Sequence, residues 1–174
     1  KLGIGVRHDI PMSAVAEGVA PTMAWKAERY DQNWVVGDSL NASIGQGFVL
    51  ASPLHLAVMS SRLASGTQIS PRLVKSVDGR EAPVVGTETL DISPTALAQI
   101  RKGMYQVVNG NRGTARGSRI VADGMIMAGK TGTSQVRSVV VRNQDVPWEE
   151  RDHALFVAFA PYDNPKYAVS VVVE

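Results

Sequence analysis

Lys130, Thr131 and Gly132 follow one another in the stretch DGMIMAGKTGTSQ (Asp123 to Gln135), and Thr133 comes next. An ammonium, a glycine and two hydroxyls two residues apart could serve either of two chemistries. From Gly124 to Thr131 the residues read G-x-x-x-x-G-K-T, the pattern of a phosphate-binding loop. There, glycines let backbone N–H groups curl around an anion, and the lysine opens a helix whose N-terminus faces the phosphates. The same residues contain K-T-G, which makes chemical sense on a strand, where alternate side chains share a face. Lys130 then presents a fixed ammonium to a cleft, and Gly132 leaves room for a substrate to lie along the backbone. Thr131 and Thr133 can hold a carboxylate, and the Thr133 N–H can meet a developing oxyanion.

The neighbouring residues decide between the two. The variable positions are Met125, Ile126, Met127 and Ala128, which suit a buried strand and not an anion nest. Gly132, Thr133 and Ser134 follow Thr131, a poor helix start and a good strand. The aspartate available for a magnesium ion, Asp163, comes after Pro161 has interrupted an apolar run. Residues 126–136 are therefore predicted to form a strand, without a helix after Lys130.

Other candidate groups carry less. His8, His55 and His153 are far apart in sequence and lack carboxylates at metal-motif spacing, so each is read as structural and no metal or other cofactor is assigned. The absence of cysteine removes thiolate nucleophiles and disulfides. Eighteen basic against 16 acidic residues leave a formal charge of +2, too small an excess to argue for nucleic acid. Arg112, Arg116 and Arg119 read as solvated loop residues that could also meet glycan or acidic peptide groups, and Trp148 either packs locally or borders the cleft or a partner protein. No segment is apolar and long enough to span a bilayer, which leaves open a membrane anchor outside this sequence.

The elements that must position K-T-G can be read from caps and periodicity. Ser13–Gly18 and Thr22–Tyr30 could each form a short helix. Ser39–Val49, rich in small residues, reads as a compact packed loop. Ser52 followed by Pro53 starts a helix that Gly66 ends, with Leu54, Ala57, Val58 and Leu63 on its apolar face. A second begins at Pro94, capped by Ser93, and runs to about Val108, with Leu97, Ile100, Met104 and Val107 aligned. QISPRLVKSV and DGREAPVVG form a strand pair with Asp78-Gly79 as its turn. QVRSVVV, ALFVAF and YAVSVVVE are β-rich, and Arg137 to Asp152 links two adjacent strands. Helices first and sheet last give an α+β class.

AGKTGTSQV, together with NASIGQGFVLASPLHLAVMSSRLASG and DHALFVAFAPYDNPKYAVSVVVE, resembles the transpeptidase domain of class B penicillin-binding proteins, most of all their elongation-specific branch. The resemblance extends over essentially the whole chain. It implies the fold shared with serine β-lactamases: an antiparallel sheet flanked by helices, beside a mainly helical subdomain. It also implies a serine-type D,D-transpeptidase that cross-links the D-Ala-D-Ala stem peptides of peptidoglycan through an acyl-enzyme and is the target of β-lactam antibiotics. In that reading Lys130 and Thr133 are catalytic, while Thr131, Gly132 and Thr133 bind substrate. Implied partners are the glycosyltransferase and scaffold proteins of the elongation complex, met through parts outside this chain. The implied location is the periplasmic face of the bacterial inner membrane.

The family orders its motifs as S-x-x-K, S-x-N and K-T-G. No serine here begins S-x-x-K. Ser39-Leu40-Asn41 fits S-x-N, but it lies in the stretch leading to IGQG, which the family places after the true motif. Ser39 and Asn41 are therefore expected to be structural, packed in their loop away from Lys130. Residues 1–174 then read as an interior part of one transpeptidase domain. The S-x-x-K and true S-x-N regions would lie upstream, and a final strand and helix downstream. A serine β-lactamase, or a non-catalytic penicillin-binding or sensor module of the same fold, remains the alternative.

Overall fold

The structure, a computed structural model, describes residues 1–136 and 145–174. Local chemistry sets the helix ends. Helix α1 spans Met23–Tyr30, and the Thr22 side chain caps it by accepting from Trp25 N. Helix α3, Pro53–Ser65, starts where the Ser52 hydroxyl accepts from His55 N and stops at Gly66, whose φ of 73° is left-handed. Helix α4, Pro94–Asn109, is capped by Ser93, which accepts from Ala96 N at 3.2 Å.

Two expectations fail in the first part of the chain. Residues 13–18 form no helix. So short a segment has too few hydrogen bonds to repay nucleation, and the chain instead extends so that Val19 bridges to Leu50. Ser39–Val49 is not one packed loop, because helix α2 covers Val36–Ser43 and has no buried residue. Its anchor is Asp38, whose Oδ2 accepts from Val35 N at 2.8 Å and from Lys26 Nζ of α1 at 2.7 Å. These two donors, the ammonium first, hold the Asp38 carboxyl below the usual carboxylate range. Trp25, Tyr30 and Phe48 pack ring against ring beside this pair, tying α1 to the segment that follows α2.

The predicted hairpin shrinks to β1, Ser76–Val77, paired with β2, Arg80–Glu81. Its turn is as expected, with Asp78 and Gly79 at φ 48° and 78°. The three longer strands, β3 (Ala128–Ser134), β4 (His153–Ala160) and β5 (Tyr167–Val173), form an antiparallel sheet in the order β3-β4-β5. Part of the QVRSVVV run and of the link from Arg137 to Asp152 lies outside the described residues. Within that link Trp148 is 62% exposed, with the Arg151 guanidinium over its ring, so it fills no packing gap.

Register places Lys130 opposite Val157 and Ala128 opposite Phe159. On that face Ala128, Val157 and Phe159 pack with Leu63 and Ala64 of α3 and with Met104 of α4. On the other face Met127, Ala158 and Ala160 pack with Val108 and Ala115. Ile100, expected on the apolar side of α4, is 40% exposed. Along β5 the half-buried Ala168, Ser170 and Val172 alternate with exposed Tyr167, Val169, Val171 and Val173. No helix among the described residues is long and apolar enough to cross a membrane.

Residues 1–10 lie against α3 through a histidine pair. His55 is fully buried. Its Nδ1 accepts from Ser52 N at 3.0 Å, which leaves Nε2 to donate to Val6 O at 2.9 Å. His8 donates from Nε2 to Gly3 O, and its ring centroid lies 5.3 Å from that of His55. Burial, and then the neighbouring imidazole, push the His8 pKa down. Each ring thus commits a nitrogen to a backbone carbonyl, Gly3 O for His8 and Val6 O for His55.

Candidate active site

Lys130, Thr131, Gly132 and Thr133 all lie on β3, so the chain continues as a strand past the lysine and the phosphate-loop geometry is absent. Among the described residues β3 is an edge strand. In a strand a residue's N–H and C=O point to the same edge, and successive residues alternate. The carbonyls of Met127, Thr131 and Thr133 accept from Asn109 Nδ2 at 2.9 Å, Lys130 Nζ at 2.7 Å and Gln46 Nε2 at 3.5 Å, none of them on β4. Ile126 O, of the other parity, accepts instead from Tyr162 N, just beyond β4. The amides of Thr131 and Thr133 therefore point off the free edge, where an extended ligand could add as a further strand.

Side chains divide across the two faces of β3. Lys130 and Gly132 share the face of Val157, and Thr131 and Thr133 share that of Phe156 and Ala154. Lys130, Gly132 and Thr133 are exposed, and Thr131 is half-buried. Gly132 owes its identity partly to packing, since an added Cβ would sit 3.2 Å from Leu155 Cβ. Gly129 is confined more tightly, with Phe156 Cζ and Val157 O each 2.7 Å from where a Cβ would stand. Phe156, opposite Thr131 in register, thus lies over the strand at Gly129.

Ser39 and Asn41 lie on α2 and are exposed, not packed in a loop. The Ser39 hydroxyl accepts from Trp34 Nε1 at 2.8 Å, and Asn41 O accepts from Gln46 N at 2.9 Å. Neither bonds Lys130, whose ammonium turns to Thr131 O. Asn41 contributes indirectly, through the turn that presents Gln46 to the Thr133 carbonyl.

Two residues at the site went unmarked by their motifs. Gln46 is one. The other is Thr114, whose hydroxyl lies 3.0 Å from that of Thr131. Its loop also carries the three arginines. Arg116 donates to Asn111, and Arg112 borders an open cavity of about 390 Å³ shared with Gly103, Gln106, Val107 and Thr114.

An edge strand carrying K-T-G-T, in an antiparallel sheet with helices packed on it, is the arrangement of the penicillin-binding transpeptidase fold. The family described as "Penicillin binding protein transpeptidase domain" matches residues 1–174, and the chain belongs to it. Among curated proteins it is 35% identical over 182 residues to the peptidoglycan D,D-transpeptidase MrdA of Haemophilus influenzae, covering 99% of this chain. The Escherichia coli K12 protein of that name is 32% identical over 184 residues. Penicillin-binding protein 2 of Pseudomonas aeruginosa, solved in complex with WCK 5153, superposes with a TM-score of 0.82 at 36% identity, over 99% of this chain and 37% of that one. The same protein from Helicobacter pylori, in its complex with MreC, gives 0.80 at 32% identity, over 99% and 30% of the two chains. The chain spans 28% of the length of the Haemophilus relative, and 29% of the Escherichia one.

Proposed function

We propose that residues 1–174 form the K-T-G part of a single transpeptidase domain. That domain would cross-link peptidoglycan stem peptides during cell-wall elongation and be acylated by β-lactams. An upstream serine would attack the penultimate D-alanine carbonyl and expel the terminal D-alanine. The acyl group would then pass from the serine oxygen to an amine of a neighbouring stem peptide. Lys130 adds positive potential and helps proton transfer during acylation, and Gly132 leaves the backbone open to the ligand. Thr131 and Thr133 bind the terminal carboxylate of the peptide or of a β-lactam. The Thr133 N–H completes an oxyanion hole with the N–H of the serine.

The observation that carries this reading is the orientation of Thr133, with its amide off the free edge and its hydroxyl on the same face as that of Thr131. The named relatives supply the substrate class. The MreC complex of the Helicobacter protein supports a scaffold partner, and a glycosyltransferase partner follows from the elongation role. The same role would put the protein at the periplasmic face of the inner membrane, with an anchor outside residues 1–174.

Labelling of the complete protein with a fluorescent penicillin tests the reading. A covalent band that survives denaturation and is blocked by unlabelled penicillin is expected, whereas no band overturns it. Within the strand, Thr133→Val keeps the backbone N–H and removes only the hydroxyl. Its acylation should therefore weaken by about 1–3 kcal/mol, the value of one hydrogen bond to a charged group. Second-order rates with penicillin measure it, and an unchanged rate takes Thr133 out of carboxylate binding.

A further inference from the structure

We infer that Thr114 is a positioning residue that sets the Thr131 hydroxyl to donate to an anionic ligand, an inference that rests on the carboxylate-binding role proposed above. The two hydroxyl oxygens lie 3.0 Å apart across the gap between the α4–β3 loop and the strand. A threonine hydroxyl has one hydrogen to give and two lone pairs to accept with. If Thr131 gives its hydrogen to a carboxylate, the bond between the threonines must run the other way, with Thr114 donating. The result is a directed chain, Thr114 O–H to Thr131 O–H to carboxylate. Each donor in it polarises the next.

The loop is built to hold Thr114 still. On one side, Gly113 donates its N–H to Gly110 O at 3.0 Å. It lies so close to the end of α4 that an added Cβ would stand 2.2 Å from Val107 O and 2.6 Å from Gln106 O. On the other side, Ala115 donates its N–H to Val107 O at 3.0 Å and buries its methyl group beside Val108, Met127, Ala158 and Ala160. Asn109 at the end of α4 then donates to Met127 O of the segment entering β3. Thr114, itself exposed, thus projects from a frame fixed at both neighbours and bolted to the strand it serves.

The test compares Thr114→Val, Thr114→Ser, Thr131→Val and the Val/Val double variant of the complete protein. Second-order acylation rates are measured with a penicillin bearing its free carboxylate and with the methyl ester of that penicillin. Thr114→Val should slow the free acid about 3- to 10-fold, the effect of one neutral hydrogen bond, and leave the ester unaffected. Thr114→Ser should restore the rate, and the double variant should be no slower than Thr131→Val alone. If Thr131→Val slows the free acid but Thr114→Val does not, or slows acid and ester alike, Thr114 is only part of the loop and the inference fails. If Thr131→Val itself acylates at the parent rate with both compounds, the carboxylate-binding reading is what fails, and the inference falls with it.

Discussion

Lys130→Ala is expected to slow acylation of the complete protein by penicillin about 10²- to 10³-fold, the usual loss when one preorganised electrostatic group is removed from an acyl-transfer site, and to leave its melting temperature unchanged. The two halves of this expectation have separate causes. Lys130 is exposed, and among the described residues its ammonium bonds the adjacent Thr131 carbonyl. Neither feature gives the fold much to lose. The charge, however, stands on the same strand as the Thr133 amide and two residues from Gly132, where a ligand on the free edge would run. A ligand laid there excludes water and lowers the local screening, so the ammonium acts more strongly on developing charge than it does on the bare surface. Acylation rates and thermal melts, run on the same preparations, separate the effects. A parent-like rate would reduce the strand to scaffolding.

The second large effect is expected at His55 and concerns stability alone. His55→Leu conserves most of the volume in a fully buried site but removes both ring nitrogens. Val6 O loses its donor and Ser52 N loses its acceptor. Each orphaned group costs roughly 1–3 kcal/mol, so a destabilisation of about 2–6 kcal/mol is expected in urea unfolding of the complete protein. Proteolysis should then find its new cleavage sites near Val6, because that contact holds the first residues to α3. A parent-like midpoint would show that water takes over both partners and that the histidine is dispensable. Ser52→Ala makes a useful comparison, since it removes the capping hydroxyl but leaves the backbone donor of Ser52 in place.

How much of this could be read from the chain depended on how local the cause was. Helices α3 and α4 declared themselves because each start is encoded in adjacent residues, Ser52-Pro53 and Ser93-Pro94, and Gly66 marks one stop. The K-T-G strand was legible for the same reason, through Met125 to Ala128 before it and Thr133 after it. Helix α2 was not, because its anchor is an ion pair between residues 12 positions apart, Lys26 and Asp38, and no periodic apolar face accompanies it. Residues 13–18 misled in the opposite direction. Their alanines favour a helix locally, and the pairing of Val19 with Leu50 overrides them. At the site, Lys130, Thr131, Gly132 and Thr133 came from the motif, whereas Gln46 and Thr114 came only from the fold. They reach the strand from 87 and 17 residues away, and glutamine and threonine in glycine-rich segments look like ordinary loop composition.

The two-residue period of β3 has a consequence for how this stretch can vary in the gene. Lys130 and Gly132 sit on one face, and Thr131 and Thr133 on the other. A codon change at any one of them, whatever it costs in activity, alters that residue's own contacts and leaves the register of the others in place. Gain or loss of a single codon within the strand is different. It shifts every later residue to the opposite face and edge, carries Thr133 out of its place, and exchanges hydroxyl for glycine throughout the cleft. Length is therefore as tightly held in this strand as the K-T-G-T residues themselves, and alleles that survive selection should not differ here by insertion or deletion.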